Sequence, residues 1–180
     1  IKSGFSGASI IETGTGTISL TGTQTSGSGY GLNFTAAGQK ILAPSGAISL
    51  VANSPRGIGF QGTLGADGTT ISNSTSNITF TSDVVSSSAS TINSTGTITV
   101  QPYSNSFGGS GLTWPFSNLT FAATPTGLTL GKLSNTANIT VGTAQTIAGP
   151  ITIYGGAVAI NANLTGTNIN VTGSSINEAS

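Results

Sequence analysis

Four acids and four bases are the only strongly ionisable side chains in the sequence: Glu12, Asp67, Asp83 and Glu178 against Lys2, Lys40, Arg56 and Lys132. There is no His and no Cys. The usual general base, thiol nucleophile and imidazole ligand are therefore missing. Glycoside hydrolysis needs two carboxyls facing each other across a sugar. Glu12 and Glu178 lie near opposite ends of the sequence, which leaves Asp67 and Asp83 as the pair that could meet across neighbouring corners of a coiled chain. Both read better as solvated turn residues, and Asp67-Gly68 is a turn dipeptide. Calcium takes about six to eight oxygens, several of them from carboxylates, and the Gly-Gly-x-Gly-x-Asp solenoid motif is absent. The run Gly108-Gly109-Ser110-Gly111 lacks the Lys and the helix of a phosphate loop. The sequence thus predicts no catalytic residue, no metal site and no cofactor: a protein that is not an enzyme.

Weaker chemistry remains. Asn-x-Ser/Thr triplets begin at Asn33, Asn73, Asn77, Asn93, Asn118, Asn138, Asn163 and Asn170. They are glycan acceptors in a eukaryotic secretory protein, but in a chain this rich in Asn and Thr they read as stacked Asn ladders. Tyr30, Tyr103, Trp114 and Tyr154 could stack on sugar rings. Trp114 and Tyr154 end repeat phrases and are expected to pack on the core. Thr-x-Thr spacing at Thr13-Gly-Thr15-Gly-Thr17, Thr21-Gly-Thr23 and Thr95-Gly-Thr97-Ile-Thr99 suits an ice-matching face only if the pairs recur at one place in every coil, and in the sequence they do not.

Composition narrows the class. Charged residues make up 4% of the chain and cancel to zero, against roughly a quarter in a typical soluble domain. No basic face exists for nucleic acid and no charge run for an anionic membrane. Disorder combines low hydropathy with high net charge, whereas mean hydropathy here is +0.21. Without Cys there are no disulfides. No long unbroken apolar run offers a membrane-spanning helix, and no signal peptide is visible. There is no Met, even at position 1, which reads as a processed product or a segment of something longer.

The elements that would position these residues are short strands. A phrase of small or polar, aliphatic, small or polar, bulky apolar recurs: Thr17-Ile18-Ser19-Leu20, Ala47-Ile48-Ser49-Leu50, Asn77-Ile78-Thr79-Phe80 and Thr97-Ile98-Thr99-Val100. It continues as Asn118-Leu119-Thr120-Phe121, Asn138-Ile139-Thr140-Val141, Ala157-Val158-Ala159-Ile160 and Asn168-Ile169-Asn170-Val171. This period-two alternation puts aliphatics on one face and hydroxyls or amides on the other. Most phrase-to-phrase steps have the length of a solenoid coil. The last is too short, so Asn168–Val171 is expected to be a second strand of the final coil. A second phrase intervenes at Gly31–Phe34, Gly57–Phe60, Gly111–Trp114, Gly127–Leu130 and Ile151–Tyr154. Two strands per coil with Gly- and Ser-rich corners describe a β-helix.

The prediction is an all-β, right-handed parallel β-helix (β-solenoid) of about seven coils of roughly 20–30 residues, one segment over 1–180. Ile18, Ile48, Ile78, Ile98, Leu119, Ile139 and Val158 are expected in one inward ladder, and Leu20, Leu50, Phe80, Val100, Phe121, Val141 and Ile160 in its neighbour. Extra residues around Thr21–Tyr30 and Gly62–Ser76 are expected as corner loops or small hairpins. Gln101–Phe116, with Pro102 and Pro115, is expected as a loop or bulge.

The stretch from Gly127-Leu-Thr-Leu-Gly-Lys132 through Ala137-Asn-Ile-Thr-Val141, then Ile147–Gly156 and Ala157–Leu164, resembles repeats of the filamentous-haemagglutinin-like adhesins exported by two-partner secretion. The clear resemblance covers about the last third; the earlier part matches in composition and rhythm. It implies a right-handed β-helix, an extracellular or bacterial cell-surface location, and roles in adhesion, aggregation or biofilm. The expected partners are further coils of the same chain, or copies stacking end to end into a fibre, with a host or cell-surface glycan as candidate ligand. Neither nucleic acid nor membrane insertion is expected. The alternative function is glycan or ice binding by a Thr/Asn face; a polysaccharide-cleaving β-helix using Asp67 and Asp83 is a third reading.

Overall fold

A strand that alternates aliphatic and hydroxyl side chains has one face to hide, and three residues cannot hide it alone. Stacking equivalent strands in register hides it and satisfies the backbone at the same time. The computed structural model describes residues 9–179, and every described strand pairing is parallel. No helix occurs among the described residues. Lys2 lies outside them.

The described residues wind through seven turns, each visiting three faces in one order. The first turn holds β1 (Ser9–Ile11), β2 (Ile18–Thr23) and the opening of β3 (Leu32–Leu42). The second holds the rest of β3, β4 (Ile48–Asn53) and the opening of β5 (Ile58–Gly65). β3 bends from one face to the next at an irregularity between Phe34 and Gln39. The rest of β5, β6 (Ile78–Thr81) and β7 (Val85–Ser87) form the third turn; β8 (Ser90–Asn93), β9 (Thr97–Gln101) and β10 (Leu112–Trp114) form the fourth. The fifth is β11 (Leu119–Phe121), β12 (Gly127–Leu130) and β13 (Ile139–Val141). The sixth is β14 (Gln145–Thr146), β15 (Pro150–Tyr154) and β16 (Ala157–Ile160), and the last is β17 (Leu164–Thr165), β18 (Asn168–Thr172) and β19 (Ser175–Glu178).

Face one is uninterrupted: β2, β4, β6, β9, β12, β15 and β18 form a seven-stranded sheet. Its inward rows are Ile18-Ile48-Ile78-Ile98-Leu128-Ile151-Ile169 and Leu20-Leu50-Phe80-Val100-Leu130-Ile153-Val171. Ile48, Ile78, Ile98 and Ile151 are fully buried, each contributing about 1.5–3 kcal/mol. Faces two and three are each broken once. Among the described residues, no pairing joins β7 to β10, or β11 to β14.

The expected ladders are therefore right for four rungs and then change face. Leu128, not Leu119, follows Ile98; Leu119 lies on face three opposite Ser90, and Ile139 and Val158 continue face two from Leu112. The same four-residue phrase serves all three faces, so alternation fixes inside and outside but not which side of the coil a strand occupies. Asn168–Val171 likewise lies on face one, 18 residues along from its partners in β15, since Ile151 pairs with Ile169. It is a full turn, shortened because its corners carry no loop. Ile151-Thr152-Ile153-Tyr154 is one residue out of phase: Ile151 and Ile153 point inward, and Tyr154 takes the outward phase instead of packing on the core. Trp114 is fully buried, as expected. Thr21–Thr23 and Gly62–Gly65 are strand, and the loops are confined to 24–31 and 66–77. Residues 102–111 are a loop, after which Leu112–Trp114 rejoins face two.

No strand register among the described residues pairs Asn with Asn. Asn33 lies beside Gly59, Asn93 beside Gly65, and Asn170 beside Thr152. Asn77 Oδ1 instead accepts from the N–H and hydroxyl of Thr97, both at 2.9 Å, and Asn138 Oδ1 accepts from the Ala157 N–H at 3.1 Å. These amides bridge consecutive coils at corners, where bonding a backbone N–H satisfies more than bonding another amide would.

Corners set a strict requirement at Gly57. Its φ is +60°, and an added Cβ would sit 1.8 Å from the Val84 carbonyl oxygen. Gly57→Ala should destabilise by about 2 kcal/mol or more. Gly68 also has positive φ but open space around its Cβ position, so Gly68→Ala should cost only the backbone strain, about 1 kcal/mol. Urea denaturation of the two variants side by side checks this; equal losses would contradict the steric account.

Candidate functional site

Three features could act on something outside the fold: the outward face of the intact sheet, the last turn, and the corner between faces one and two.

On face one the outward row is Ser19-Ser49-Thr79-Thr99-Thr129-Thr152-Asn170, one hydroxyl or amide per turn at one fixed place. The next outward row is mixed. Thr21 is followed by Val51, Thr81 and Gln101, and Tyr154 by Thr172. The Thr-x-Thr pairs of the sequence do not assemble into a double array.

At the last turn the core opens. Ile169 and Ile176 are 41% and 49% exposed, and Ile160, Leu164, Ile169 and Glu178 line a concavity of about 420 Å³. The outer edges of β17, β18 and β19 have no partner strand among the described residues.

The corner between faces one and two gathers most of the chain's distinctive side chains. Arg56 follows β4, Asp83 lies between β6 and β7, and Lys132 follows β12. Tyr30 precedes β3, Tyr103 follows β9, and Tyr154 ends β15. All three tyrosines of the sequence therefore stand on one edge. The Arg56 guanidinium lies 5.7 Å from the centre of the Tyr30 ring, a cation–π contact. Leu133, beside Lys132, is 82% exposed, and Tyr103 is 45% exposed. A groove of about 510 Å³ runs along this corner, walled by Gln24, Asn53, Ser54, Asp83 and Gly108 among others. It adjoins a second of about 280 Å³ between the unpaired edges of β7 and β10, which shares Asp83 and Gly108. Asp83 Oδ1 accepts from the Ser104 N–H at 2.8 Å. That bond ties the 102–111 loop to the corner and fixes the carboxylate's direction.

The two central acids are not brought together. Asp67 follows β5 on face three, whereas Asp83 sits at the corner of faces one and two. Asp67 is committed internally. Lys40 Nζ donates to its Oδ2 at 2.8 Å, and the N–H groups of Thr69, Thr70 and Ile71 donate to its Oδ1 at 3.0, 2.7 and 3.1 Å. The Lys40 ammonium, with those three N–H bonds, holds its carboxyl far below the usual carboxylate range against an opposing push from burial. A depressed folded pKa gives stability that is complete above the unfolded value near 3.8 and is lost as pH falls toward the folded one. Lys40→Met should bring the Asp67 titration, followed by NMR of its side-chain carbon, back toward the ordinary carboxylate value. An unmoved titration would show that the three N–H bonds alone hold it down.

Among the described residues, no group of three or more His, Cys, Asp or Glu could hold a metal ion. No described helix is long and apolar enough to cross a membrane. The corner has no local signature in the sequence, because its residues are scattered over more than a hundred positions. They meet only when the coils are stacked in register.

The fold and corner define a three-faced parallel β-solenoid with one decorated edge. No family model matches the chain, and neither a curated protein nor a solved structure matches it.

Proposed function

We propose that the chain is a non-catalytic structural and adhesive module of an extracellular fibre at a bacterial cell surface. The observation that carries this reading is the uninterrupted face one, whose seven strands leave an edge and an open apolar core at the last turn. An open strand edge over exposed Ile169 and Ile176 recruits more strand, from further coils or from a second copy stacked end to end. Support also comes from the near-absence of charge and from acids that do not converge.

Electron microscopy of the purified chain tests the fibre, and beads displaying it tested on cell surfaces test adhesion. Thin filaments with about 4.8 Å axial spacing, abolished by replacing Ile169 and Ile176 with Lys, are the expected result. Short monomeric rods at high concentration would reject end-to-end association, and beads that do not adhere would reject the adhesive role. The alternative of ice binding by the hydroxyl row on face one is disfavoured by its mixed neighbouring row; thermal hysteresis would reinstate it.

A further inference from the structure

We propose that the break in face two, between the facing edges of β7 and β10, is a docking slot for an extended peptide of small uncharged residues from a partner protein, taken up as an added strand of the sheet. The proposal rests on that break and not on the fibre reading, which concerns the open last turn.

The free groups at the break belong to the main chain, and they decide the class of partner. In a parallel ladder each residue turns its N–H and its C=O toward the same neighbour, and successive residues alternate sides. The Val84 carbonyl accepts from the Ile58 N–H, and the Ser88 N–H donates to the Phe60 carbonyl, so Val84, Ser86 and Ser88 serve β5. Val85 and Ser87 turn the other way, toward β10. There the Leu112 N–H donates to the Asn138 carbonyl, and the Trp114 carbonyl accepts from the Gly142 N–H. Thr113 is therefore the residue of β10 that turns toward β7. Two strand edges face each other with donors and acceptors aimed into the space between them, and no pairing among the described residues joins them. Open edges of this kind take up further strand. A second main chain carries N–H and C=O groups on alternate sides at strand spacing, so it can serve both edges at once. One side chain adds to this: Ser87 lines the space, and its Oγ is buried without a hydrogen-bond partner among the described residues.

The size of the space sets the residues. It measures about 280 Å³, and β7 and β10 are each three residues long, about 10 Å of strand. Three residues of backbone leave room there for small side chains only. Val85, Leu112 and Phe116 are among its walls, which suits methyl groups and makes a charged side chain costly to desolvate. The break in face three is a poorer slot. β14 is two residues long, and the Gln145 amide there already donates to the Thr143 and Ala144 carbonyls.

The test titrates the full chain into labelled, capped five-residue peptides combining Gly, Ala, Ser, Thr and Val, read by fluorescence anisotropy, and follows amide exchange of the chain with and without peptide. Members of the set should bind, and binding should slow exchange at Val85, Ser87 and Thr113. The same peptides N-methylated at their central residues should bind at least about tenfold more weakly, because they lose the bonds to the edges. Thr113→Pro removes an N–H that the β10–β13 ladder does not use, as an edge position allows, and should weaken binding to a similar extent with an unchanged melting temperature. If Thr113→Pro lowers the melting temperature, the N-methylated peptides and the exchange pattern decide. The proposal fails if no peptide of the set binds, if N-methylation leaves binding unchanged, or if the protection appears at β17, β18 and β19 instead. Filament formation is read separately, so failure here leaves the fibre reading untouched.

Discussion

Trp114→Ala should lower the unfolding free energy by about 3–5 kcal/mol. The side chain is fully buried. Its ring lies edge-on to Phe116 at 5.2 Å and tilted against Phe121 at 5.8 Å, and Phe116 in turn meets Phe80 at 5.6 Å. Trp114 is on face two, Phe80 on face one and Phe121 on face three, so this cluster ties all three walls together inside the tube. Its position matters as much as its size. The junction below it lacks the β7–β10 ladder, and the junction between the fifth and sixth turns lacks the β11–β14 ladder. Stability in a solenoid is close to a sum over neighbouring turns, so the loss should appear locally, as faster amide exchange in β7, β10 and β11. The indole Nε1 has no hydrogen-bond partner among the described residues. Trp114→Phe therefore keeps much of the packing, removes a buried unsatisfied donor, and should cost much less than Ala. Equal losses for Phe and Ala in guanidinium denaturation would refute the packing account.

Much of this fold was legible because strand periodicity is a local property. Thr97-Ile98-Thr99-Val100 shows its inside and outside faces without reference to anything distant, and so do seven other phrases. What could not be read was the side of the coil. Asn118-Leu119-Thr120-Phe121 looks like a continuation of face one but lies on face three, because the step from Ile98 to its partner Leu128 includes the 102–111 loop. A loop at a solenoid corner adds residues without adding a face, and no local pattern counts faces. The candidate site suffers more from this than the core does. Asp83 and Asn53 are unremarkable in sequence; they share a groove only because β4 and β6 are consecutive rungs of one sheet.

The same logic hides Asn135, whose replacement by Ala should cost about 2–4 kcal/mol. In the sequence it is one more Asn in a Ser- and Thr-rich loop; in the fold it is 5% exposed. Its Nδ2 donates to the Tyr154 carbonyl at 2.8 Å and to the Ala137 carbonyl at 3.2 Å. Its Oδ1 accepts from the Ser106 hydroxyl at 3.0 Å and from the N–H groups of Phe107 and Ala137, each at 3.2 Å. One amide thus ties the fourth, fifth and sixth turns together at the corner that bears the groove. Truncation removes partners from the Phe107 N–H and the Tyr154 carbonyl, and a buried polar group left unpaired costs about 1–3 kcal/mol. Asn135→Asp separates hydrogen bonding from shape. The volume is conserved, but at neutral pH a carboxylate oxygen replaces the donor and faces the two carbonyls. The folded state should then raise that carboxyl's pKa. The resulting destabilisation is complete above the folded pKa and relieved as pH falls through it, because a protonated carboxyl donates again. Urea denaturation of both variants at neutral and acidic pH reads this directly. Stability within about 0.5 kcal/mol of the unmodified chain for Asn135→Ala, or an Asn135→Asp deficit that does not shrink on acidification, would show that the corner is held by the backbone alone.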